Sequence, residues 1–217
     1  MNGDVPLVLA AGQQAALEAA YSTPPRAYHH FGHVQAVLQH YDAVAIGPGW
    51  QQPREVYLAV LYHDAVYQAG RADNEARSAE LAKAAIAHWL PDAGIDATRV
   101  ATLIVLTARH GRLVATDFDN DPAADDSRHF LDCDMAILGA APAVFDAYDR
   151  GIAEEYRGAV PQWLFRRNRR RFLRALLARE RIFLSDFFHQ RLDAAARDNL
   201  RRALGLSALA MDGSDDA

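Results

Sequence analysis

The chain has 217 residues, enough for one large domain or two small ones, with 51% hydrophobic and 24% charged residues, an ordinary globular balance. Acids outnumber basic residues by 28 to 23, and the net charge of −5 makes the whole molecule a poor electrostatic match for nucleic acid or an anionic membrane. Cys133 is the only cysteine, which excludes a disulfide framework and a CxxC metal knuckle and fits a reducing compartment.

The opening "MNGDVPLVLAAGQQ" lacks the basic start of a signal peptide. No stretch approaches the roughly 18 uncharged apolar residues that a membrane span needs. The cytoplasm is therefore the expected location, with no membrane partner.

Helical spacing dominates the chain, and no series of alternating strands is evident. Residues 7–20 are Ala/Leu-rich and predict a first helix, broken after it by Pro24 and Pro25. Residues 26–45 read as a second helix carrying "YHHFGHV", and "IGPGW" at 46–50 is loop chemistry. A third helix is expected from Pro53, a residue suited to an early helical position, to Tyr67. Asp73 suits the N-cap of a fourth helix ending near Leu90, with Glu75 in the first turn where the dipole favours a carboxylate. A fifth spans 97–110. The polar stretch 111–126 reads as a long loop, of a length that is often functional. Further helices are expected over 127–138, 142–158, 161–178, 179–189 and 191–204, and the acidic tail 211–217 is expected to be disordered. The sum is one all-α domain over 1–210, a bundle of about nine helices.

Chemistry-bearing residues fall in three places. On the third helix, Val56, Ala59, Val60, His63 and Tyr67 follow the spacing of a buried face, so His63 ends an apolar stripe with Asp64 beside it. Burying an aspartate is costly unless a cation or hydrogen-bond donors match its charge. On the second helix, His29 and His33 are spaced i, i+4 and His30 and His33 i, i+3; either pair can share a face, and spacing does not choose between them. The zinc-protease pattern HExxH is absent. In "FLDCDMAILGA", Asp132 and Asp134 cannot both face solvent while their neighbours pack. Asp134 is the inward candidate, and a helix N-cap is the competing explanation.

The order His33, His63–Asp64, Asp134 resembles the H…HD…D pattern of the HD superfamily of metal-dependent phosphohydrolases. "RAYHHFGHV" is similar to the R-x-YHN-x-x-H segment of a bacterial subfamily of HD phosphohydrolases. "YHDAVY" and "NEARSAELA" look like its HD-x-x-Y and NE-x-x-SA elements, and "LTARH", "FLDCDMAILG" and "EEY" continue the likeness across residues 21–175. His30 departs from that pattern, which usually has asparagine there. The resemblance implies a single HD-type helical bundle in which His33, His63, Asp64 and Asp134 meet around one divalent cation. It selects His33 over its neighbours and leaves His29 either to support a metal ligand or to face the substrate.

On that basis the expected reaction is cleavage of a phosphoester of a small metabolite, a nucleotide being the favoured class, by a metal-activated water. Asp64 would bind metal and orient the water, Glu75 would move a proton or orient the water, and His110 would meet the phosphate or protonate the leaving oxygen. Arg26, His29 and Ser78 are the expected substrate contacts, Arg26 as a bidentate phosphate clamp. The cation is left open among Mn, Fe, Co, Ni, Zn and Mg. His40, His88, His129 and His189 are assigned to surface or packing. The arginines 166, 167, 169, 170, 171 and 174 are read as a solvated or acid-paired face in preference to an RNA-binding strip. The aromatic segment 182–190 would cover core or form a dimer contact, so both monomer and homodimer are carried forward. Two other readings compete: a catalytically silent nucleotide-binding or regulatory module, and an RNA-associated helical protein.

Overall fold

Nine α-helices, and no strand, occur among the residues that this computed structural model describes, namely 7–22, 26–118, 121 and 123–206. The expected all-α bundle is what forms. The break at Pro24–Pro25 and the acidic tail lie outside the described residues. No helix is long and apolar enough to cross a membrane, among the residues described.

The helix α3 (Pro53–Tyr62) is the axle of the bundle and packs against its neighbours α2 (Phe31–Ile46), α4 (Asn74–Trp89), α5 (Ala97–Thr107) and α6 (Ala124–Met135). Its start follows from Pro53 at the first helical position and Glu55 in the first turn. Val56 and every residue from Leu58 to Tyr62 are buried, because helices surround it on all sides. Each of the larger apolar side chains there contributes on the order of 2 kcal/mol by leaving water.

Around that axle, α4 and α5 form the most extensive helix pair, α5 beginning at Asp96, whose carboxylate accepts from Arg99 N at 2.9 Å. The remaining helices are α1 (Ala11–Tyr21), α7 (Pro142–Glu155), α8 (Gln162–Leu177) and α9 (Asp186–Leu204). A 3-10 turn over Ala136–Gly139 extends α6 and packs on α9. Gly139 permits that approach, since a Cβ there would stand 2.7 Å from Leu192 Cβ and 2.9 Å from its carbonyl oxygen.

Several expected boundaries move, and at three of them side chains capture backbone groups that a longer helix would have used. The second helix begins at Phe31, not Arg26: His30 is its N-cap, with Nδ1 accepting from Gly32 N at 3.0 Å, and residues 27–30 form bends. The third stops at Tyr62, not Tyr67. There the Tyr21 hydroxyl donates to Leu61 O, Arg26 donates to the carbonyls of Asp64 and Ala65, and Ser78 Oγ binds both N–H and C=O of Val66. The expected loop 111–126 is shorter, holding a 3-10 turn over Ala115–Phe118 and yielding to α6 at Ala124. No helix forms over 179–185, because the N–H groups of Ile182, Leu184 and Ser185 go to the carboxylates of Asp193 and Asp132. Ser185 then caps α9, with its hydroxyl accepting from Phe188 N.

Candidate metal centre

His33 stands in the first turn of α2, His63 caps the end of α3, Asp64 follows it, and Asp134 lies in the last turn of α6. These three elements bring the four side chains together. His33 Nε2 and His63 Nε2 are 3.1 Å apart. Asp64 Oδ2 lies 3.1 Å from His63 Nε2 and 3.6 Å from His33 Nε2. Asp134 Oδ1 lies 3.0 Å from His33 Nε2 and 3.7 Å from His63 Nε2. Atoms bound about 2.1 Å from one ion stand about 3 to 3.5 Å from each other, so these separations match those of ligands around a common centre. His33, His63 and Asp64 form a group that could hold a metal ion.

The donor chemistry fits a cation as well. His63 Nδ1 donates to the Val60 carbonyl at 2.8 Å, which holds the ring and turns Nε2 into the cluster. Burial alone would push His63 down, but the charges of Asp64 and Asp134 raise it to about 9. Burial likewise opposes ionisation of both aspartates, yet the charge of His63 holds each below the usual carboxylate range. His33 is moved down by burial, which keeps its imidazole neutral and fit to be a ligand. Two anionic oxygens thus hold positive charge between them, and a divalent cation answers the same demand.

Other expected site residues fall into two sets. His110 Nε2 meets Asp134 Oδ2 at 2.6 Å, so it holds the carboxylate from the side away from the cluster. His29 is beside the cluster but not on α2, so its i, i+4 relation to His33 is not helical. Its ring stacks on Tyr67 at 4.1 Å and lies edge-on to His33 at 5.9 Å. Arg26 and Ser78, expected at the substrate, are taken up by the fold. Arg26 donates to the carbonyls of His29, Asp64 and Ala65. Ser78 is fully buried with its hydroxyl engaged in both directions at Val66, which removes it from any substrate. Glu75 is half-exposed in the first turn of α4 and interacts electrostatically with the Tyr156 hydroxyl.

The acid that sequence reasoning passed over is Glu155. Its side chain is fully buried, Oε1 accepts from the N–H groups of Tyr28 and His29, and Oε2 meets His29 Nδ1 at 2.6 Å. Burial alone would pull His29 down, but the Asp64 charge and this hydrogen bond raise it. A signal for Glu155 exists: Phe145, Tyr148, Ile152 and Glu155 follow one helical stripe, so an acid ends a buried face. Gly151 on the same helix allows the close approach, its absent Cβ lying 3.2 Å from Ala27 O.

Asp132 is more buried than Asp134, at 2% exposure, and its carboxylate is taken up by Leu184 N, Ser185 N and Ser185 Oγ. Of the remaining histidines, His40 packs edge-on against Phe188 and His88 is exposed beside Trp89, while His189 pairs with Asp193. His129 is buried between Trp50 and Phe187. No protein-family model matches the chain, and neither curated proteins nor solved structures yield a match.

Proposed function

We propose that this chain is a metal-dependent hydrolase. More narrowly, the order of its motifs and the chemistry of the cluster favour a phosphohydrolase of the HD type. The observation that carries the reading is the convergence of two imidazole nitrogens and two carboxylate oxygens from α2, α3 and α6 within 3.0 to 3.7 Å of the facing histidines. His33, His63, Asp64 and Asp134 would hold one divalent cation, and a mixed His/carboxylate set accepts Mn, Fe, Co, Ni, Zn or Mg. When bound, such an ion neutralises phosphate charge and lowers the pKa of water.

The chain's own groups supply the rest. Asp64 presents one oxygen to the cluster and orients the attacking water with its other. His110 holds and orients Asp134 from behind. His29, held by Glu155, hydrogen-bonds the substrate beside His33. The substrate is a phosphoester of a small metabolite, with nucleotides the first class to test.

Metal analysis of the purified protein combined with a phosphate-release screen over nucleotides and sugar phosphates tests the reading. His63→Ala and Asp64→Ala should each lose bound metal and lower turnover by about 100-fold or more while keeping helical content. Full turnover in both variants would end the proposal.

A further inference from the structure

A groove of about 680 Å³ lies between α7, α8 and the end of α9, on helices other than those carrying His33, His63 and Asp64. Arg157, Arg166, Arg169 and Arg170 line it, with Asp149 the one acid among the lining residues and Phe165 an apolar wall. The register of α8 explains why these arginines gather. Positions 162, 165, 166, 169, 170 and 173 recur at i, i+3, i+4, i+7, i+8 and i+11 and share one face, whereas Arg167, Arg171 and Arg174 fall outside it. The basic run is therefore two faces of different character, one concave and one convex.

The concave face has unspent donors. Arg166 is exposed and has no hydrogen bond or ion pair among the described residues. Arg169 rests over the Tyr148 ring at 4.9 Å and its Nε donates to Asp149 Oδ1 at 2.9 Å. Its Nη2 lies at ion-pair distance from that same oxygen, yet it is buried without an aligned hydrogen-bond acceptor. Arg170 spends one nitrogen on Leu204 O, and Arg157 pairs with the exposed Glu154. Positive charge thus concentrates in a hollow of a chain whose net charge is −5.

Guanidinium forks match phosphate oxygens two at a time, and a hollow of this volume suits a small molecule. Arg166 and Arg170 stand one turn apart on the same face, and with each fork matching two oxygens, Arg157, Arg166 and Arg170 together offer more donors than the oxygens of one phosphate group can take. We propose that this groove binds a small molecule carrying two or more phosphate groups, at a site separate from the cluster of His33, His63 and Asp64. Phe165, packed against Tyr156 at 5.2 Å, offers a flat surface for whatever organic group the phosphates carry.

Calorimetric titration of inorganic triphosphate into the full chain tests this, with His63→Ala run beside the wild type. One equivalent should bind in both. Arg166→Ala/Arg170→Ala should weaken that binding by about 10-fold or more. Arg167→Ala/Arg171→Ala removes the same charge from the other face and should change it by no more than about two-fold, since exposed distant charges are screened. Equal weakening by the two pairs would mean diffuse attraction to a basic helix and would overturn the proposal. So would loss of binding in His63→Ala, which would place triphosphate at the cluster, or no binding to the wild type.

Discussion

Two regions of this molecule pack aspartates among the helices in opposite ways. Between α6 and α9, Asp132 accepts from Leu184 N, Ser185 N and Ser185 Oγ at 2.8, 2.7 and 2.6 Å, while Asp193 accepts from Ile182 N and Arg197 Nε. Those carboxylates are answered by the fold itself. At the junction of α2, α3 and α6, Asp64 and Asp134 face imidazole nitrogens, and no backbone N–H among the described residues reaches either carboxylate. His63 spends its Nδ1–H on the Val60 carbonyl, so its Nε2 satisfies Asp64 only if the ring carries the extra proton, or if both bind the same cation. Burial depth differs as well, Asp132 and Asp193 being buried while Asp64 and Asp134 stay partly exposed.

That contrast can be broken most directly by Asp132→Ala. Three donors would lose their acceptor at a buried position, at a cost of about 3 kcal/mol in urea unfolding. Metal content per folded molecule should not change. If Asp64→Ala destabilised the metal-free protein as much, the two regions would be alike and Asp64 merely structural.

Glu155→Gln gives a smaller effect and sharpens the boundary between the regions. Glu155 joins both kinds of donor, two backbone N–H groups on one oxygen and an imidazole on the other. The amide oxygen can still accept from the backbone while the charge opposite His29 is lost. Turnover should fall about 10-fold with metal retained, the usual scale for a group that supports a site residue. Unchanged kinetics would make the His29–Glu155 pair a packing contact.

The smallest expected effect is on pH stability. Burial works against ionised Asp193, but the Ile182 N–H and Arg197 hold its carboxyl below the ordinary 3.8. A depressed acid contributes stability that is present above the unfolded value and is lost as pH falls through the folded one. The wild type should therefore lose about 1 kcal/mol below about pH 4 on this account, and Asp193→Asn should flatten that part of the curve. An unaltered acid limb would remove Asp193 from the set of fold-satisfied acids.

Much of this was legible in the chain because period and punctuation agree. α3 and α4 begin where Pro53 and Asp73 place them, and His33, His63, Asp64 and Asp134 stand out as polar groups on or beside apolar stripes. What escaped is where distant side chains take over backbone groups. Nothing local in "HDAVY" stops a helix; Tyr21, Arg26 and Ser78 stop it from other elements. The segment 179–185 has helical composition, but Asp132 and Asp193 hold its N–H groups. Glu155 was missed because its partner, the backbone of residues 28 and 29, lies 127 and 126 positions away.

Arg26 shows how the two histidine-bearing segments keep their alignment. One guanidinium grips main-chain oxygens at 29, 64 and 65, hydrogen bonds that any residue at those positions can accept. Whatever stands at those three positions, the frame persists. Reactive groups mounted there are therefore open to exchange during divergence without loss of registry, which separates the evolution of chemistry at this spot from the evolution of architecture.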